Sequence, residues 1–413
     1  MAVFLTPLAS RAQETASTTL ETAATVEPAA LNTPPIFSAV EEMLVKKVAE
    51  AREILSNTSL NHKIYTIKGK YKKKTVYTKM LQREVAVIGL NSATGDLKQF
   101  IFKEDLKLSS KGRAAPKPPK IIGQDKNCKL VWRSGSRWGF NRNMQLTCDG
   151  TELIVMGLKM PYSTNSKSDG IVVDSYVPYS PELNTSLFAK IGREHLEKII
   201  AKASSELSQD EVKSRAFPNK EITDIVPMEF VMSMIVNEHM DHNEFLKAVK
   251  DGTFPDLVNK VLVLVGLNRE QAMKWSVSKA GACCLTQFMP RTYKSVVKRY
   301  PEAELDPAVL SGRQDHLNAV KASIILFDSD ISVGWKAKTK ETCFVSSVML
   351  ERCLAASYNA GPGTLNKAIR KLGFNWSDDR LSRVKRGLKT ETRMYLKKLE
   401  SIKTYIVDLV KNT

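Results

Sequence analysis

The chain has 413 residues, 43% of them hydrophobic, and a formal net charge of +18. That length accommodates two or three domains and that apolar content builds an ordinary globular core. The longest apolar run, Val261 to Val265, is far too short to cross a bilayer, which excludes a transmembrane helix. The positive charge implies an anionic partner, whether nucleic acid, acidic lipid or an acidic cell-wall polymer; charge alone does not choose among them, and a plain basic surface accounts for it as well.

Residues 1–37 are rich in Ala, Thr, Pro and Glu and poor in large apolar side chains, so they are expected to form a disordered leader or a degenerate export signal. Val3-Phe4-Leu5 and Ser10-Arg11-Ala12 suggest such a signal, but no basic residue precedes the apolar part. Residues 39–56 read as a helix, with Val40, Met43, Leu44, Val48, Ala51 and Leu55 on one stripe. From about 62 to 180 the period changes to short β-branched and aromatic runs punctuated by Gly69, Asn91 and Gly95. The proline-rich stretch 114–120 is expected to divide this region into two lobes. The stretch Lys68 to Lys74 reads as a basic hairpin, either tracking an anionic polymer or protecting a solvated edge strand. Residues 38–180 are thus a small β-rich accessory region with an N-terminal helix, 181–221 a helical connector, and 222–413 an almost wholly helical domain.

The even number of cysteines permits an oxidising compartment. Cys128 and Cys148 flank strand-like sequence and can bridge neighbouring strands; Cys343 and Cys353 can close a second loop. Cys283 and Cys284 are adjacent and are expected to pack rather than to pair with each other.

One carboxylate stands out. Asp224 is expected to cap a helix with Pro227 in its first turn, and Val231, Met234 and Ile235 then share a face with Glu238. A glutamate turned to an apolar face is costly when ionised, so its pKa rises and it can act as a general acid. The plain alternative is a helix-end Glu with its head in solvent. His239 and His242, with Asp241 between them, have a spacing that suits a metal, but the HExxH order is absent and no third ligand stands out, so neither metal nor cofactor is expected. Further on, Ala280-Gly281-Ala282 leads into Leu285-Thr286-Gln287, where small residues allow close backbone approach and Gln287 offers both donor and acceptor. Ser357-Tyr358-Asn359-Ala360-Gly361-Pro362-Gly363 reads as a helix running into a stop, which places Tyr358 and Asn359 near its end. Each of these also reads as a packing or capping residue.

Taken in order, the blocks resemble the soluble lytic transglycosylase domain over about 222–410: Glu238, then Ser278 to Gln287, Met289-Pro290-Arg291-Thr292, Asp306-Pro307 with Asn318, Ser357 to Gly361, and Glu391-Thr392 with Tyr395. Departures are His239 for the usual Ser, Cys284 for Gly, Thr286 for Met and Ser357 for Ala. The gap from Glu238 to Ser278 is also long, with an inserted helical segment expected over or beside the cleft between Phe245 and Arg269. The resemblance implies an α+β multidomain chain with a mainly α-helical, lysozyme-like catalytic domain behind the accessory region. It implies non-hydrolytic cleavage of peptidoglycan between N-acetylmuramic acid and N-acetylglucosamine, giving a 1,6-anhydro product, with Glu238 as acid then base. Ser278, Gln287, Tyr358, Asn359 and Tyr395 would bind the sugar, and no cofactor is required. Asp241, Glu244 and Asp251 keep a two-carboxylate muramidase open, and a non-catalytic wall-binding protein of an envelope, secretion or virion assembly is the other alternative. The implied partners are peptidoglycan strands, with assembly partners through the β-rich region. Nucleic acid is disfavoured because no recognition module accompanies the charge. The implied location is the periplasm or cell envelope, alternatively a virion.

Overall fold

The computed structural model describes residues 37–71, 74–108, 119–123, 125–134, 140, 143–163, 170–225, 227–278, 280–378 and 387–411. The expected leader (apart from Phe37), most of the proline-rich stretch and Lys72-Lys73 of the basic hairpin lie outside these residues.

Helix α1 (Ala39–Ser56) opens with a reciprocal cap, Ser38 Oγ accepting from Glu41 N at 3.2 Å and Glu41 Oε2 from Ser38 N at 3.0 Å. It buries Leu44, Val48, Ala51 and Leu55, while Val40 and Met43 of the predicted stripe are exposed. Eight antiparallel strands follow among the described residues: β1 (His62–Tyr71), β2 (Lys74–Leu90), β3 (Leu97–Lys107), β4 (Lys120–Ile122), β5 (Cys128–Ser134), β6 (Asn143–Cys148), β7 (Thr151–Ser163) and β8 (Ile171–Tyr176). The main path is β4-β3-β2-β7-β6-β5, with β1 added to β2 and β8 to β7. The 17-residue β2 is the spine. It pairs with β1 through its first half, with β3 through Met80 to Leu90, and with β7 near its end. β4 also approaches β5, so the sheet curls nearly closed.

The structure differs from the expected fold class. The β-rich part is not a small accessory lobe but an eight-stranded sheet spanning 62–176. Nor is it apart from the helices. Val85 and Val87 of β2 face a core with Phe100, Phe102, Leu146 and Leu158, whereas Ala86, Ile88 and Leu90 join the same apolar cluster as α1 and the C-terminal helices. Residues 37–412 form one compact unit. The physical reason is burial on both faces: a strand covered on two sides loses the alternation that marks it in sequence.

The helices are α2 (Ser186–Gln209), α3 (Met228–Glu238), α4 (His242–Asp251), α5 (Phe254–Asn268), α6 (Pro290–Arg299), α7 (Val309–Gln314), α8 (His316–Ser329), α9 (Ala337–Cys343), α10 (Ser347–Ala360), α11 (Pro362–Leu372) and α12 (Thr390–Lys411). Pro227, not Asp224, occupies the N-cap of α3; Asp224 instead closes a 3₁₀ turn. The segment expected as an insertion, Phe245 to Arg269, comprises most of α4 and all of α5. α5 is a core helix rather than a flap: Val258, Val261, Leu262, Val263 and Val265 are buried, and it packs on α2 and α3. α8 is buried from Ala319 to Ser329 and continues into a π-helical turn, Asp330–Gly334. Bridges join Cys128 to Cys148, which face each other across β5 and β6, and Cys343 to Cys353. Cys283 and Cys284 are also joined, contrary to the expectation that they only pack; adjacency holds their sulfurs together when the backbone turns between them. No described helix is long and apolar enough to cross a membrane.

Candidate active site

Glu238 is the last residue of α3, with Val231, Met234 and Ile235 beside it lining one small void. The residue keeps part of its surface exposed. Burial of the carboxyl pushes its pKa up to about 7, against a hydrogen bond from Tyr395 and the charge of Lys398, which both favour the ionised form. Tyr395 Oη donates to Glu238 Oε1 at 2.7 Å from α12, and Tyr395 O accepts from Asn237 Nδ2 at 3.1 Å. The carboxylate and the hydrogen bond raise the Tyr395 phenol pKa further, after burial, so the phenol stays a donor.

His239 follows directly, at the C-cap of α3. Its Nε2 lies 2.8 Å from Leu285 O. Burial lowers the imidazole pKa to about 4, so near neutrality the ring is uncharged. A neutral ring facing a carbonyl must carry its proton on Nε2. This bond ties the end of α3 to the Ser278–Gln287 block. His239→Ala leaves the Leu285 carbonyl without this donor, and is expected to lower stability by about 1–3 kcal/mol, read as a shift of the urea midpoint at pH 7.5. An unchanged midpoint would show that the bond holds nothing.

The block itself is a short irregular segment held by its carbonyls. Trp275, just before it, packs against Tyr162 with ring centroids 4.7 Å apart and donates Nε1 to Asp174 at 2.9 Å, so the sheet anchors its entry. Arg313 donates to Gly281 O at 3.0 Å and Phe288 O at 2.9 Å, pinning its two ends. Ser278 is exposed and closes the first turn, its Oγ accepting from Ala282 N at 3.0 Å. Gly281 sits at φ +91, Cys284 at +74 and Gln287 at +48. At Cys284 a side chain in the left-handed region costs roughly 1 kcal/mol, which a glycine would avoid. Gln287 Nε2 donates to Ser276 O at 3.1 Å and Cys284 O at 2.8 Å, so its amide protons brace the loop and only the carbonyl end is left to face a ligand.

Tyr358 donates to Thr286 O and lines the same void as Glu238. Burial, with Glu238 next, pushes its phenol pKa far up. Asn359, at the end of α10, is half-buried and makes no side-chain hydrogen bond among the described residues. The structure therefore brings Glu238, Tyr358 and Tyr395 together. Gln287 and Ser278 shape the neighbouring loop, and Asn359 stands at its helix end. Lys398, Arg313 and Trp275 were not read from the sequence. Lys398 lies one turn beyond Tyr395, a spacing that could have exposed it.

The void beside Glu238 is about 10 Å³, so any ligand larger than a water would reach the carboxyl only from the exposed edge of Glu238. A far larger cavity, about 920 Å³, lies elsewhere, lined by His195, Lys198, Arg269 and His316 among others. Size alone does not mark a candidate site; a desolvated acid such as Glu238 is the stronger mark. Of the other carboxylates near in sequence, Asp241 caps α4, accepting from Asn243 N at 2.8 Å, Glu244 pairs with Lys260 at 2.8 Å, and Asp251 is exposed at the far end of α4. Among the described residues no three His, Cys, Asp or Glu side chains converge as a metal site requires. Comparison with known proteins returns no match to any family model, curated protein or solved structure.

Proposed function

We propose that this chain is a peptidoglycan lytic transglycosylase. The observation that carries the reading is a desolvated carboxyl, Glu238, held near pKa 7 and oriented by Tyr395, while Asp241 and Glu244 are engaged elsewhere and Asp330, which burial also raises, accepts a hydrogen bond from Ser357. The order of blocks from Glu238 to Tyr395 supports it. Protonated Glu238 gives its proton to the bridging oxygen as the bond to the muramyl anomeric carbon breaks and N-acetylglucosamine leaves. The resulting carboxylate takes the proton of the muramyl 6-hydroxyl, whose oxygen closes on the anomeric carbon to form the 1,6-anhydro ring. One carboxyl suffices because no water is activated, in contrast to the pair that ordinary glycosidases use. Tyr358, Asn359, Ser278 and the Gln287 carbonyl end are the proposed sugar contacts. The net charge of +18 suits the stem-peptide carboxylates of the wall, and the proposed location is the envelope, or a virion that attacks it.

Purified sacculi digested with the wild-type chain are expected to release anhydro-muropeptides, identified by mass spectrometry. Reducing-end products would make it a hydrolase, and the absence of any product would leave a wall-binding role. Because the acid form starts the reaction, the rate is expected to fall about tenfold per pH unit above the Glu238 pKa of about 7. A flat profile from pH 7 to 9 would remove Glu238 from the acid's role.

A further inference from the structure

Helix α12 grips the end of α3 with one face. Tyr395 and Lys398 are a turn apart on it and therefore neighbours. Tyr395 takes the Glu238 carboxyl at 2.7 Å. Lys398 Nζ takes the backbone on either side, donating to Asn237 O at 3.2 Å and Met240 O at 2.6 Å. The lysine is only 7% exposed, and its ammonium lies 5.9 Å from the centre of the Tyr395 ring. Carbonyls at a helix C-terminus lack partners within the helix, and a cation there also meets the negative end of the helix dipole. A buried ammonium is nevertheless expensive, and a neutral donor would satisfy the carbonyls at lower cost. The charge itself therefore has a use.

We infer that Lys398 is a positioning residue for Glu238: it ends the helix at the acid and keeps a buried cation behind the carboxyl, so that the carboxylate left after the first proton transfer survives to act as base. This deepens the proposed reaction and rests on it. The reaction needs both forms of one group. Burial alone favours the protonated form, and Lys398 with Tyr395 opposes that bias. Burial in turn lowers the lysine pKa, while Glu238 and Asp241 raise it. The other titratable groups close to Glu238 are His239, neutral near pH 7, and the phenols of Tyr358 and Tyr395; Asp330 acts on Tyr358. Lys398 is the cation of this group.

The test compares wild type with Lys398→Met, Lys398→Gln and Lys398→Arg, each checked for folding by circular dichroism and thermal melting. Gln keeps an N–H donor to the backbone carbonyls and removes the charge; Arg keeps both. The Glu238 titration is followed by NMR with ¹³C-labelled glutamate carboxyls, a readout that needs no substrate. The midpoint is expected to rise by about one unit in the Met and Gln variants and to return toward the wild-type value in Arg. On sacculi, kcat is expected to fall roughly 10–100-fold in Met and Gln with little change in KM. A midpoint in folded Lys398→Gln within about 0.3 unit of wild type, or Arg behaving like Gln, overturns the inference. Wild-type protein that releases no anhydro product overturns the reading of the reaction instead, and the NMR midpoints still decide the role of the lysine.

Discussion

Glu238→Gln is expected to abolish anhydro-muropeptide release, by at least about 10³-fold, and yet to make the folded protein more stable at pH 8. The catalytic loss follows from removing both the acid and the base; general acid–base assistance is worth about 10²–10⁴ on its own. The gain in stability follows from the same environment. Folding raises the Glu238 pKa from 4.5 to about 7, so the native state prefers the proton more than the unfolded chain does. That preference stabilises fully below about 4.5 and is lost as pH rises through 7. Above it, the wild type holds a poorly solvated carboxylate, whereas the isosteric amide holds no charge. The difference approaches about 3 kcal/mol at pH 8 as an upper value, since a unit of pKa is about 1.4 kcal/mol. His239 and His316 run the other way. Burial lowers both to about 4, so each costs stability as pH falls from 6.5 toward 4. They do so equally in both proteins, and the difference between the two melting curves isolates Glu238. Melts at several pH values from 4 to 8 should show the gap opening only above about 4.5. A gap that does not vary with pH would mean that Glu238 does not titrate near 7.

Part of this site can be read along the chain because it is local. Val231, Met234, Ile235 and Glu238 fall on one helical face in the sequence and stand together beside one void in the structure. The strand bridge between Cys128 and Cys148 is legible for the same reason, a short hairpin with facing positions. What could not be read depends on partners distant in sequence. The extent of the sheet is not legible because the end of β2, Val85 to Leu90, divides its alternate residues between two cores and shows no polar face there. Gln287 has the chemistry to bind a sugar, but its amide protons are taken by the Ser276 and Cys284 carbonyls, a turn that the sequence does not announce. Lys398 looks like one more surface lysine in a basic helix until the end of α3 is placed against it.

Gly192→Ala is expected to destabilise the protein by about 3 kcal/mol or more, although it replaces the poorer helix former with the best one. Gly192 of α2 and Gly266 of α5 meet where the two helices touch. A Cβ at Gly192 would lie 1.9 Å from Leu262 O, and one at Gly266 would lie 2.1 Å from Phe188 O. These obstacles are backbone atoms, which no rotamer change can move, so the helices must part. Propensity offers about 1 kcal/mol in return and loses. The displacement would travel, because α5 is stitched to the sheet by Asn268, whose side chain accepts from Val177 N at 2.8 Å and donates to Val177 O at 2.9 Å. The chain then runs through Arg269 to Trp275, the anchor of the Ser278–Gln287 block, so activity should fall with stability. Gly363 in α11 is the control, since a Cβ there meets nothing within 4 Å. Gly363→Ala should be neutral or slightly stabilising. Urea midpoints for the two variants separate the effects of contact from those of propensity. Gly192→Ala unfolding within about 0.5 kcal/mol of wild type would mean that α2 and α5 do not touch through these glycines.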